Sequence, residues 1–261
     1  MRITIVGKGY VGSAIANRAR EHFGDEAVRV LGRGEMGLLP SCVAESDLLI
    51  NAAGWCGSRN TDDCERERVE CYRDNLHLPH YLAQMVRTHN PECAFHHIST
   101  GCFFSGDCEH PEDAAPNNLR GTYLHTKWHS EAVAKIAPKQ AIWRIRLPFD
   151  GRLSEPRNLL AKLRRFTVLS DGRESTTYLP DLADAILLHG HLAVGGLWHA
   201  TNPEPQTLHY MGLCLGRDIP VGETGLARSH TTLSTEALRS ALGDHYPFRT
   251  TREALWAAFC C

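Results

Sequence analysis

Short apolar runs alternate with longer stretches of helical periodicity through the first 150 residues. The short runs read as strands buried on both faces, and the amphipathic stretches between them as crossover helices. The expected strands are Arg2–Val6, Ala27–Leu31, Asp47–Asn51, Ala94–Ile98 and Ala141–Ile145, with helices over about 11–23, 62–89 and 123–136. Such alternation is the mark of βαβ units around a parallel sheet. After Pro148 the rhythm loosens. A helix-like EPRNLLAKLRRF (155–166) precedes a Gly/Ser/Thr-rich loop, a helix over 180–192, a strand-like GLWHAT (196–201) and terminal helices. The fold class is α/β, a doubly wound parallel sheet with a smaller C-terminal lobe. Residues 1–150 are expected to form the sheet domain and 151–261 a substrate-binding lobe, with part of the latter (about 180–203) returning to the sheet.

Composition narrows what such a fold can do. The chain has 261 residues, enough to bury a sizeable core without staples. It carries 28 basic and 30 acidic residues, a formal charge of −2 that argues against nucleic acid or an anionic membrane as a partner. Ten cysteines without a CxxC pair, and an N-terminus that starts as a strand, are read as reduced thiols in a cytoplasmic protein. The fifteen histidines show no HExxH or Cys/His ligand spacing, so no metal is assigned. The Cys260-Cys261 ending lacks a preceding polybasic stretch and is not taken as a lipid anchor. Only five of the basic residues are lysines (8, 127, 135, 139 and 162), which makes their placement informative.

Chemistry enters at two places. Gly7-Lys8-Gly9-Tyr10-Val11-Gly12 follows the first strand and opens a helix. That placement lets backbone N–H groups and a helix N-terminus meet a dinucleotide pyrophosphate, which makes the sheet domain Rossmann-like. At the end of the second strand an Asp or Glu would select NAD; the chain has Arg33, which suits the 2′-phosphate of NADPH, with NADH retained as an option. Tyr123 and Lys127 are four residues apart and share one helix face, one element after Ser99-Thr100-Gly101 at a strand end. A phenol that exchanges a proton, an ammonium beside it and a hydroxyl to hold a carbonyl oxygen form a ketone-reducing set.

These motifs carry a resemblance. GKGYVG, NAAG (51–54), YLHTK (123–127) and RLP (146–148) resemble an extended short-chain dehydrogenase/reductase. Within it, NAAGWCGSRNTDDCE, STGCFFSG, RIRLPFDGRLSEPRNLLAKLRRF and GLWHATNP are similar to the nucleotide-sugar branch. The likeness is to plant-type UDP-4-keto-6-deoxyglucose 3,5-epimerase/4-reductases and, more loosely, to dTDP-4-dehydrorhamnose reductase. It runs from about residue 1 to 215; the phosphate loop is one residue shorter than the family's usual GxxGxxG, and residues 105–120 match no family pattern.

The resemblance implies two chemistries in one pocket. Thr100, Tyr123 and Lys127 would reduce a 4-ketone, while Cys102 and Lys162 would exchange protons at the carbons beside it. A 4-keto group acidifies C3 and C5, so a thiolate and an amine on opposite faces suit that task. Cofactor contacts are expected from Gly7, Gly9, Tyr10, Val11, Gly12, Arg33, Asn51, Ala52, Ala53, Tyr123, Lys127 and Pro148, and substrate contacts from Cys102, Arg157, Asn158 and Lys162. Asn75 is expected to order its helix near the sheet, and Cys56 stands beside the cleft. The expected partner is a nucleotide-sugar substrate, with a homodimer left open. Three readings therefore stand: an epimerase/reductase, a single-function reductase or epimerase, and a non-catalytic dinucleotide-binding regulatory subunit.

Overall fold

A computed structural model describes residues 1–106, 108–169, 171–222 and 230–259; Cys260 and Cys261 lie outside them. Six strands form one parallel sheet: β1 (Ile3–Val6), β2 (Val28–Leu31), β3 (Leu48–Asn51), β4 (Ala94–Thr100), β5 (Gln140–Ile145) and β6 (Leu197–His199). Their spatial order is β6-β5-β4-β3-β1-β2. Every neighbouring pair is parallel, with Val6 opposite Asn51 and Asn51 opposite His97. The chain order reverses between β1 and β3, so the crevice where ligands enter such sheets opens above the carboxyl ends of those strands. This is the Rossmann-like α/β fold expected from the alternating pattern.

The helices cover both faces. On one, α1 (Tyr10–Phe23) packs beside α7 (Leu179–His189), and Ile5, Ile15, Trp143, Leu182 and Ile186 interlock with Leu238 and Phe248. On the other, α2 (Leu39–Glu45), α4 (Leu78–His89) and α5 (Thr122–Ala134) bury Leu39, Val43, Leu82, Val86, Phe95 and Ile142. A third apolar cluster gathers Phe149, Leu160, Leu163 and Tyr178 with Met211, Ile219 and Leu255. It holds the short α6 (Leu159–Leu163) beside α8 (Leu208–Cys214) and α10 (Thr251–Phe259). The intervening α9 (Glu236–Leu242) rejoins the first cluster through Leu238 and Leu242.

Two elements differ from the sequence expectation. The single helix over 62–89 is instead a 3₁₀ turn (Thr61–Glu65), α3 (Arg68–Tyr72), a π turn (Arg73–His77) and then α4. Pro79 stands at the start of α4 and has no N–H to return to the preceding turn, so the helical ladder widens there. The helix-like EPRNLLAKLRRF shrinks to the five residues of α6, because Asn158 caps it by accepting from the Leu160 N–H.

A deeply buried ion pair joins the sheet to α5. Arg144 on β5 donates from Nε and Nη2 to Glu131 on α5 at 2.9 and 2.8 Å, and both residues are less than 5% exposed. Ser99 Oγ on β4 donates to the same carboxylate at 2.6 Å. Removing one partner of a buried pair leaves the other uncompensated, which costs about 3–5 kcal/mol. Arg144→Met should therefore lower the unfolding free energy by about that amount in urea denaturation. A loss below about 1 kcal/mol would mean that water already solvates Glu131.

Candidate functional site

The phosphate loop owes its shape to two glycines. Gly7 has φ +115°, and a Cβ there would meet Ala53 N at 2.7 Å and Ala52 C at 2.8 Å. A Cβ on Gly12 would lie 2.0 Å from the Gly7 carbonyl oxygen, so helix α1 can start against the loop only without one. Gly9 differs: its missing Cβ would point into open space, and it caps α1 with no side-chain bond and no acidic residue in the first turn. The N-terminal N–H groups of a fourteen-residue helix are thus left for an anion. The loop fits a pyrophosphate. Tyr10 is largely buried, with its ring under the Arg152 guanidinium at 4.8 Å, and Arg152 donates to the Tyr10 carbonyl.

Arg33 begins the turn after β2 and is exposed, but it is not idle: Nη2 lies 2.5 Å from Asp74, and its guanidinium lies over the Trp55 ring. Lys8 is held similarly by Glu35 at 2.5 Å, while Glu35 also accepts from the Gly32 N–H. A 2′-phosphate would find two cations at this rim, each already carrying a carboxylate that it would have to exchange. Sequence reasoning did not assign Lys8 to the site; its place between the first two loop glycines was the available signal.

The expected catalytic groups gather where β4 ends and α5 begins. Tyr123 and Cys102 pack against a cluster of Phe103, Phe104, Leu124 and Leu233. Thr100 hydrogen-bonds Tyr123, and its Oγ1 accepts from the Cys102 N–H at 3.2 Å. Burial, with Cys102 and Cys56 nearby, holds the Tyr123 phenol well above its ordinary pKa, against the opposing Thr100 bond, so it stays protonated. Lys127 is 5% exposed and donates from Nζ to the Ile98 carbonyl at 2.7 Å. Burial lowers its pKa to about 8, and Glu131 restrains the drop. The structure thus brings Thr100, Cys102, Tyr123 and Lys127 together.

Cys102 has a partner that sequence reasoning missed. Arg146, on the RLP segment, donates from Nη1 to its Sγ at 3.1 Å and is itself held by buried Glu174. Burial disfavours the guanidinium charge, yet Cys102 and Glu174 outweigh that and keep it in place. The next residue, Leu147, has φ +40°, an uncommon conformation for a branched side chain that turns β5 toward the half-buried Pro148. The motif was visible in the sequence; its contact with a cysteine 44 positions away was not.

Other expected residues are placed differently. Asn51 is fully buried, and its amide shapes the turn below the loop by accepting from the Ala53 N–H; only the half-buried Ala52 and Ala53 remain accessible there. Asn158 is also fully buried, bonding Asp150 and Arg152 as it caps α6, which corrects its assignment to substrate. Arg157 is half-buried, and its donors serve the carbonyls of Cys56, Gly57, Ser58 and Arg59, which fastens that loop. Lys162 stands half-buried on α6. Asn75, in the π turn, accepts from the Trp55 N–H at 2.7 Å and donates to the Trp55 carbonyl at 2.8 Å, so it orders the loop before Cys56.

A family model described as the NAD dependent epimerase/dehydratase family matches residues 3–146, more than half of the chain. The chain belongs to this family. Relatives in it include an Arabidopsis thaliana bifunctional dTDP-4-dehydrorhamnose 3,5-epimerase/dTDP-4-dehydrorhamnose reductase, 30% identical over 59% of this chain and 54% of the relative. The trifunctional UDP-glucose 4,6-dehydratase/UDP-4-keto-6-deoxy-D-glucose 3,5-epimerase/UDP-4-keto-L-rhamnose-reductase of the same plant is 29% identical over 59% of this chain and 24% of the relative. The chain thus spans about a quarter to a half of the length of these curated relatives. The likeness of fold extends beyond the matched residues: a UDP-rhamnose synthase from Acanthamoeba polyphaga mimivirus superposes with TM-score 0.83 at 19% identity, covering 100% of this chain and 99% of the other. A dTDP-4-dehydrorhamnose reductase from Bacillus anthracis in complex with NADP gives 0.78 at 19% identity, covering 99% and 98%.

With its pKa near 8, Lys127 is charged below that pH and loses its proton above it. Turnover that depends on the ammonium should fall along an alkaline limb centred near pH 8. Lys127→Arg, which keeps its charge past pH 12, should lower kcat but abolish that limb. A wild-type profile flat from about pH 7 to 9.5 would remove Lys127 from the rate-limiting step.

Proposed function

We propose that the chain is an NADPH-dependent enzyme acting on a nucleotide 4-keto-6-deoxyhexose, able to invert C3 and/or C5 and to reduce the C4 ketone. The observation that carries the reading is one cluster with two proton-handling sets: Thr100, Tyr123 and Lys127 beside a thiol, Cys102, backed by a buried guanidinium. Curated relatives named for both epimerase and reductase activities support it.

The phosphate loop from Gly7 to Gly12 and the Ala52-Ala53 turn would hold the dinucleotide, with Arg33 and Lys8 at its 2′-phosphate. NADPH supplies the hydride that reduces C4. Thr100 and Tyr123 would receive the C4 oxygen, and Tyr123, kept protonated by burial, would donate the proton that completes the alcohol. Lys127 stabilises the phenolate left behind. Before that step, Cys102 would take the proton from one carbon beside the ketone. The guanidinium of Arg146 lies in place to balance the negative sulfur, and Lys162 would serve the opposite face. The complete Thr100, Tyr123 and Lys127 set weighs against a regulatory subunit.

Cys102→Ala should still reduce a substrate whose stereocentres are already inverted, while solvent deuterium no longer enters C3 or C5. Mass and NMR analysis of product formed in D₂O separates the two activities. Undiminished deuterium uptake by the variant would remove Cys102 from the epimerisation and leave a reductase alone.

A further inference from the structure

A chain of buried side chains runs beneath the pocket from the cofactor turn to the catalytic helix. Asn51, His97 and Ser130 are each fully buried, on β3, β4 and α5. Asn51 Oδ1 already accepts from the Ala53 N–H, so its Nδ2 faces His97 Nδ1 at 3.0 Å as a donor. His97 Nε2 lies 2.9 Å from Ser130 Oγ, and Ser130 Oγ donates to the Lys127 carbonyl at 2.6 Å. Burial, together with the Lys127 charge, keeps His97 neutral. A neutral imidazole has one acceptor and one donor, and here the order is forced. Nδ1 accepts from Asn51, so Nε2 carries the proton toward Ser130, whose own proton goes on to Lys127.

The geometry points to His97 as a positioning residue that locks the Ala52-Ala53 turn, and through it the Gly7 loop, in register with the helix turn bearing Lys127. The loop depends on that turn, because Gly7 lies within a Cβ-width of Ala52 and Ala53. The histidine itself is sealed from the pocket and touches neither cofactor nor sugar. This inference rests on reading Gly7–Gly12 as the dinucleotide loop and Lys127 as the catalytic lysine. A histidine that only filled core space would be replaceable by any side chain of its size; a register lock needs the acceptor and the donor in that order.

The test is a pair of variants. His97→Leu keeps volume and removes both hydrogen bonds. His97→Gln offers an amide oxygen and an amide N–H about as far apart as the two ring nitrogens. NADPH binding is titrated by fluorescence without sugar, and turnover is then measured with a 4-keto nucleotide sugar. His97→Leu should raise the NADPH Kd about tenfold and lower kcat, with the sugar KM changed less than about twofold; His97→Gln should return the Kd to within about twofold of wild type. A folded His97→Leu protein that binds NADPH as wild type does would overturn the proposal, as would a His97→Gln protein as weak as the leucine variant. Should the leucine variant fail to fold, Ser130→Ala breaks one link of the chain: a raised NADPH Kd supports the lock, and an unchanged one overturns it. Wild-type protein that binds NADPH but reduces no 4-keto sugar would overturn the substrate reading alone, and the same dependence of binding on His97 would still support the lock. Wild-type protein that binds no NADPH overturns both.

Discussion

The Glu131 carboxylate is the constraint on which the site depends. It receives Arg144 from β5 and Ser99 from β4, the residue before Thr100. Arg144 in turn reaches the Glu112 carbonyl and His199 on β6, and lies over the rings of Phe103, Phe104 and Trp128. One buried charge pair therefore ties three strands, a helix and a loop at the end of the sheet where the pocket opens. A buried pair is weak evidence for stability as such, since burial opposes both charges. Its value lies in direction. An apolar contact would let α5 slide along β4, whereas a bidentate pair with a third donor fixes both distance and rotation.

The same carboxylate has a second duty. Glu131 lies one helical turn beyond Lys127 and opposes the loss of its charge on burial. The tyrosine and the lysine are pushed in opposite directions by the same dry environment: the phenol holds its proton more tightly and the ammonium more loosely. That suits a group that must give up a proton only when an alkoxide forms beside it, with a cation near enough to receive the phenolate. Without Glu131 the desolvation of Lys127 would be opposed less, and its ammonium would lose its proton at a lower pH.

Much of this was legible in the sequence, and what was not has identifiable causes. The five expected strands lie within two residues of those observed, because a parallel strand buried on both faces leaves a continuous apolar run. Gly7, Gly9 and Gly12 were legible because their spacing directly after the first strand is a local pattern, although the Ala52 and Ala53 backbone that crowds Gly7 is not. Tyr123 and Lys127 were legible because helical spacing alone puts them on one face. The helix over 62–89 was misread because charge and apolar periodicity continue through the 3₁₀ and π turns; only Pro79 announced the break. Arg157 and Asn158 look like ligands as residue types, but their partners lie in a loop about a hundred positions away and in a cap two positions on. The segment after Gly106 matched no pattern, yet Glu109–His110 pairs with Thr232–Leu233 and Glu112 bonds both Arg144 and His199. Long-range pairing of this kind has no local periodicity to betray it.

The two chemistries proposed for this site would be compatible because the charges involved are held by separate partners. Lys127 answers to Glu131 and the Ile98 carbonyl on the β4 side, while Cys102 answers to Arg146, whose charge is held by Glu174. Thr100 is the hinge between them: its hydroxyl meets the phenol, and its Oγ1 takes the N–H of Cys102. Were both sets neutralised by one counter-ion, a negative sulfur would compete with the phenolate for it, and each proton transfer would disturb the next. With one counter-ion on helix α5 and the other just past β5, a proton could leave the sugar toward sulfur while the tyrosine keeps its own. On the proposed reading, separate counter-ions would let the thiol of Cys102, just past β4, and the phenol of Tyr123, near the start of α5, take turns on the same ring.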